Sequence, residues 1–271
     1  MTPAQRAQSS ILDPQSFPVI SVTEAQLSAW YGALFWPLTR VLALMSVAPV
    51  LSHRAVPVRA KVALAVAITI VLMPGLAAPP LVDVLSGTGL GLLAQNILIG
   101  LVIGFTVRLV FAALEIAGET IGLQMGLSFA GFFSPTTGTM QNPVASFMTL
   151  LAMLMFVAID GHLMLIHALA ESFRVFPLTG DTTGLDLERV ARLGSQMFAI
   201  ALSIALPFIA VLLIINIVLG VLARVAPQLN VFAVGFPLTI LTGLAVLFLF
   251  LPYIETPLRM AVERGVSMWR E

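Results

Sequence analysis

Cysteine is absent from this 271-residue chain, so no disulfide framework and no thiolate metal site can form. Charge is nearly as scarce: 13 Lys and Arg balance 13 Asp and Glu, together 10% of the residues, with net charge zero. An average soluble domain carries roughly 25% charged residues. No basic run offers a nucleic-acid footprint. None of the three histidines opens a His-Glu-x-x-His zinc site. Neither Gly-x-Ser-x-Gly nor the phosphate-cradling Gly-x-x-x-x-Gly-Lys occurs, so the sequence predicts no catalytic, cofactor or metal site and no ATP hydrolysis. The first 21 residues lack both the charged start and the apolar core of a signal peptide.

What is present is apolar. Hydrophobic residues make up 59% of the chain, and its mean hydropathy is +1.04. Crossing a bilayer takes roughly 20 apolar residues per helix. About six stretches approach that length, near residues 27–51, 62–81, 90–114, 144–170, 195–223 and 231–254. None alternates as a barrel strand would, and unpaired backbone groups cannot face lipid, so all are expected to be helical. Breaks fall at Ser52–Lys61, Pro79–Gly89, Phe132–Pro143, Pro177–Arg192 and Arg224–Asn230. The basic cluster of Arg54, Arg59 and Lys61 points to the cytoplasmic side. An even number of strict spans would then place Arg174, Arg189, Arg192 and the basic C-terminus outside, against the positive-inside bias. Either the span count is wrong, or some stretches are hairpins that do not traverse.

Three polar constellations interrupt the apolar background. In a helix through Gly100–Gly126, Arg108, Glu115, Glu119, Gly122 and Gly126 share one narrow face. Gly100 and Gly104 form a Gly-x-x-x-Gly pair, and Gly118, Gly122 and Gly126 repeat the interval, which lets another helix approach closely. Each interior glycine also weakens the helix by about 1 kcal/mol relative to alanine. A packing groove and a deformable pore constriction both fit. Further on, helical geometry aligns Asp160, His167, Glu171 and Arg174 with His162 opposite, as a buried polar seam or a proton relay, with Gly161 as a kink. Arg40, inside the first apolar stretch, is expected to pair with an acid or to snorkel to an interface. Pro207 and Asn216 read as a kink and an interhelical bond.

The third constellation is the polar break Arg224–Pro237. There Pro227 stops a helix, Gln228 and Asn230 serve a reversal, Asn230 fits an N-cap, and Gly235 and Pro237 disturb the next turns.

This break resembles the C-terminal signature of the FliR/SctT family of type III export-gate membrane proteins. Ala117–Ala130 with Ser134, Pro135 and Gly138, and Asp160–His167 with Ser172, Phe173 and Pro177, resemble two further family motifs in the same order and spacing. The resemblance runs from about Trp30 to Pro252, with Ser134-Pro135 where the family often has Asp-Pro. It implies an all-α architecture of polytopic, membrane-associated helical hairpins, like a fusion of the smaller FliP and FliQ gate proteins. Residues 1–26 would form a polar N-terminal segment, 27–258 the export-gate helical domain and 259–271 a charged tail.

The resemblance further implies a structural and gating subunit of flagellar protein export, in the bacterial inner membrane at the basal body. Its partners would be FliP-like, FliQ-like, FlhB-like and FlhA-like subunits and unfolded flagellar substrates. Gly118, Glu119, Gly122, Gln124, Met125, Gly126, Leu127 and Phe129 would belong to a pore plug. The rivals are a virulence injectisome counterpart and, from another class, a proton-coupled solute transporter using Glu115, Asp160 and His167. The transporter would be expected to show inverted repeats, and no convincing repeat is visible.

Overall fold

The computed structural model describes residues 23–53, 55–77, 82–127, 142–178, 187–226, 228 and 231–267. Among them lie eight α-helices and no strand: α1 Glu24–Val47, α2 Pro49–Ser52, α3 Val58–Leu72, α4 Gly87–Gln124, α5 Pro143–Ala158, α6 Gly161–Val175, α7 Leu187–Val225 and α8 Val231–Ser267. The all-α membrane architecture follows directly. Four helical segments are long and apolar enough to cross a membrane, or five if the bent pair α5 and α6 counts as one, against the six expected. The stretch that drops out is the first, where Thr39 and Arg40 interrupt the apolar run of α1.

Local signals explain the element starts. Thr23 and Gln26 form a reciprocal capping box at α1. Ser86 caps α4 by accepting the Gly89 N–H at 3.0 Å. Asn142 caps α5, with Pro143 in the first turn. Pro207 lies inside α7 and Pro237 inside α8, both of which run on as helices, and Asn216 is exposed.

α4 is the axis of the fold, in contact with α1, α5, α6, α7 and α8. Its glycines fulfil the expected close approach. A Cβ at Gly100 would collide with the Arg40 carbonyl, and one at Gly104 would stand 2.8 Å from the Leu44 carbonyl. Gly118 faces α5, where a Cβ would lie 2.6 Å from the Ala145 Cα. Around this axis a continuous core runs from Trp36 and Leu44 through Ile103, Leu114 and Met148 to Phe208 and Leu258.

Arg40 departs from expectation. It is completely buried, and no acid meets it among the described residues. Its Nε donates to Asn96 Oδ1 at 3.0 Å. One terminal nitrogen donates to the Ser172 carbonyl at 2.8 Å and to Ser172 Oγ at 3.2 Å, the other to the Phe176 carbonyl at 2.9 Å. The guanidinium also stacks 4.1 Å from the Phe173 ring centroid. The physical reason is that the C-terminal end of α6 carries partial negative charge, and its Ser172 carbonyl accepts from Arg40 as well as from the Phe176 N–H. A helix terminus takes the place of a carboxylate.

Between α5 and α6 the chain bends by 69°. Asp160 sits in the bend with φ 56°, the left-handed region that Asp tolerates better than most residues. Its carbonyl accepts the Leu163 and Met164 N–H groups, so it starts α6. Asp160 is thus the N-cap of the helix that carries His167 and lies just outside its helical turns.

Candidate functional site

The C-terminal end of α4 is held by its own backbone and by two other helices. Gly126 adopts φ +79°, a left-handed conformation that ends the helix without a Cβ penalty. Its N–H returns to the Leu123 carbonyl at 3.1 Å, and that of Met125 to Ile121 at 2.9 Å.

Two other helices clamp this end. From α8, Thr239 Oγ1 lies 3.3 Å from the Met125 carbonyl and 3.0 Å from that of Phe236, sharing its proton between them. Met125 is fully buried, its side chain seated over Gly243, where an added Cβ would stand 2.5 Å from Met125 Cγ. From α5, Asn142 Nδ2 donates to the Glu119 carbonyl at 3.3 Å, while Oδ1 accepts from Val144 N at 3.0 Å. The Asn142 side chain rests directly on Gly122, which has room for it only because it lacks a Cβ.

The candidate plug residues therefore divide. Gly118 and Gly122 are buried packing positions under α5, and Met125 is an internal anchor. Glu119, Gln124, Gly126 and Leu127 are half-buried, with Leu123 exposed beside them. Phe129 lies outside the described residues, as do Ser134, Pro135 and Gly138.

The seam candidates are not brought together. Arg108 and Glu115 are exposed on α4, and neither makes an ion pair or side-chain hydrogen bond among the described residues. Asp160 and His167 are exposed, and half-buried Glu171 pairs with Arg174 at 3.4 Å. No group of three or more His, Asp or Glu among the described residues is arranged to hold a metal ion. In the last motif Arg224 ends α7, Gln228 lies in the turn, and Gly235 is buried and Pro237 exposed in α8. Pro227 and Asn230 lie outside the described residues.

Asn142 and Thr239 were missed in the sequence reading. Asn142 was detectable, because Asn followed by Pro at the head of an apolar run is a helix-start signal. Thr239 carried no such mark.

A family model described as bacterial export proteins, family 1, matches residues 31–265. The chain belongs to this family. The flagellar biosynthetic protein FliR of Escherichia coli (strain K12) is 44% identical over 237 residues, covering 87% of this chain and 90% of that protein. FliR of Pectobacterium carotovorum subsp. carotovorum is 46% identical over 228 residues, 83% of this chain and 86% of its own. FliR of Bacillus subtilis (strain 168) is 30% identical over 237 residues, 85% and 90% of the two chains. This export-family member is a membrane component of flagellar export, and the clamped end of α4 falls within the matched region.

Proposed function

We propose that the chain is a structural and gating subunit of the flagellar type III export apparatus, helping to form the pore that passes unfolded flagellar proteins. The observation that carries the gating part is the end of α4: a glycine-rich helix stops inside the molecule at a left-handed glycine and is fixed from two sides. Fixing a terminus this firmly suits a surface that must hold shut against a gradient and still yield to cargo. In this reading Leu123, Gln124 and Leu127 form the blocking surface. Gly118, Glu119 and Gly122 belong to its support, and Met125 and Gly126 anchor and end it.

The structural part rests on exposed apolar area. Only 28% of the most apolar window of α7, and the same share of α8, is buried within the chain, against 61% for α4. Phe198, Ile214, Ile217, Leu241 and Phe248 all stand exposed. Such faces need lipid or other subunits. The subunits would be FliP-like, FliQ-like, FlhB-like and FlhA-like proteins of the bacterial inner membrane at the basal body. No catalytic role is assigned, so the energy for transport would come from partners or an ion gradient.

Native mass spectrometry of the tagged chain, expressed with its neighbouring genes and extracted in mild detergent, tests the subunit role. One copy within a large heteromeric particle supports it; a lone monomer in several detergents overturns it. Gln124→Trp with Leu127→Trp tests the gate. Altered flagellin secretion or ion leak is expected, and unchanged behaviour in both assays removes the gating role.

A further inference from the structure

Between α4 and α5 lies an open groove of about 310 Å³ whose lining includes His53, Glu115, Glu119, Ser146, Thr149 and Met153. Its two carboxylates come from one face of α4, one turn apart, where like charges repel each other. Neither carboxylate has a hydrogen bond or ion pair among the described residues, and Arg108, on the same face, is two turns away from Glu115 and equally unpaired. Yet α4 is apolar enough to cross a membrane, and the wall beside the groove carries exposed Phe147, Leu150 and Leu154.

Lipid cannot satisfy this surface, because ionisable groups in an apolar span turn toward protein or water. An apolar border around uncompensated charge has the composition of an interface centre, where a desolvated pair fixes which partner fits. We propose that this groove docks a single Arg or Lys side chain, carried on an apolar helix of a neighbouring membrane subunit, between Glu115 and Glu119. The proposal rests on the subunit role above and specifies its chemistry: one cation, apolar neighbours on the partner helix, and hydroxyls of Ser146 and Thr149 at the wall.

The absence of cysteine makes the test direct. Ser146→Cys places the chain's one thiol on the groove wall, and its rate of reaction with a maleimide is compared between the lone chain and the co-purified complex. The complex is expected to react about tenfold slower or less, as for a site inside a stable interface. In parallel, Glu115→Gln with Glu119→Gln keeps side-chain shape and removes the charge. Recovery of neighbouring subunits is expected to fall at least about thirtyfold, because a buried cation loses its counter-charge, with the melting temperature of the lone chain unchanged.

Equal labelling in both states overturns docking and identifies a water-filled path. Slow labelling with full assembly of the Gln variant overturns the cation and leaves apolar contact alone. A drop in the lone chain's melting temperature matching the loss of assembly would assign the carboxylates to folding, which also overturns the proposal. If the unmodified chain brings down no neighbours, the subunit role itself fails and the groove proposal falls with it.

Discussion

Arg40 holds a positive charge at zero exposure with four hydrogen bonds and, among the described residues, no carboxylate. Its acceptors are carbonyls, a hydroxyl and an amide, so charge and helix terminus satisfy each other. Arg40→Met would remove these four charge-assisted hydrogen bonds, each worth about 1.5–3 kcal/mol. A large drop in melting temperature in detergent is expected. Arg40→Lys should fall between, since one ammonium cannot span acceptors on two helices as a planar fork does. Asp160 gives the opposite forecast. Asp160→Gly and Asp160→Asn keep access to φ 56° and should leave stability almost unchanged, whereas Asp160→Val should lose about 1–2 kcal/mol. Full export by Asp160→Asn across a range of pH would also remove this residue from any proton relay.

Among elements, α4 shows how one residue type serves opposite ends. Gly91 has nothing within 4 Å of an added Cβ, so Gly91→Ala should stabilise the helix by about 0.5–1 kcal/mol. Gly100→Ala should destabilise by about 1–3 kcal/mol, since the new methyl meets the α1 backbone. Denaturant unfolding of the two variants reads both signs in one experiment. The glycine interval was legible in the sequence because close helix approach leaves a four-residue pattern. So were the breaks at Ser52–Lys61 and Pro79–Gly89, where Pro, Gly and polar residues collect. The acceptors of Arg40 were not, because every residue has a carbonyl and nothing in a sequence marks which will accept a distant side chain. The burial of Met125 was hidden too: it depends on a notch at Gly243 in another helix. The bend at Asp160 was hidden for a related reason, since periodicity assumes no left-handed residue inside an apolar run.

For the molecule as a whole, helix length sets the terms. α4, α7 and α8 contain 38, 39 and 37 residues, or roughly 55–58 Å at 1.5 Å per residue. The hydrocarbon core is about 30 Å thick, and even at a tilt of about 40° a crossing consumes only about 26 residues. At least ten or so residues of each long helix must then lie beyond the hydrocarbon. Spin labels at single cysteines along α8, in nanodiscs, should show lipid-like oxygen accessibility over no more than about 26 consecutive positions. Contact with lipid along the full helix would contradict this. Counting apolar runs gave one span too many at α1, because hydrophobicity here marks burial against protein as well as against lipid.

The order of synthesis gives the Arg40 site one more meaning. Its first acceptor, Asn96, follows it by 56 residues, but the Ser172 and Phe176 carbonyls follow by 132 and 136. At a ribosomal pace of about 5–20 residues per second, the guanidinium waits roughly 7–26 s for its second group of partners. During that interval α1 carries an incompletely satisfied cation, which disfavours its settling into hydrocarbon alone. The first of the described helices thereby gains its full set of Arg40 partners only once α6 has been made, which favours insertion by the closing of a long loop.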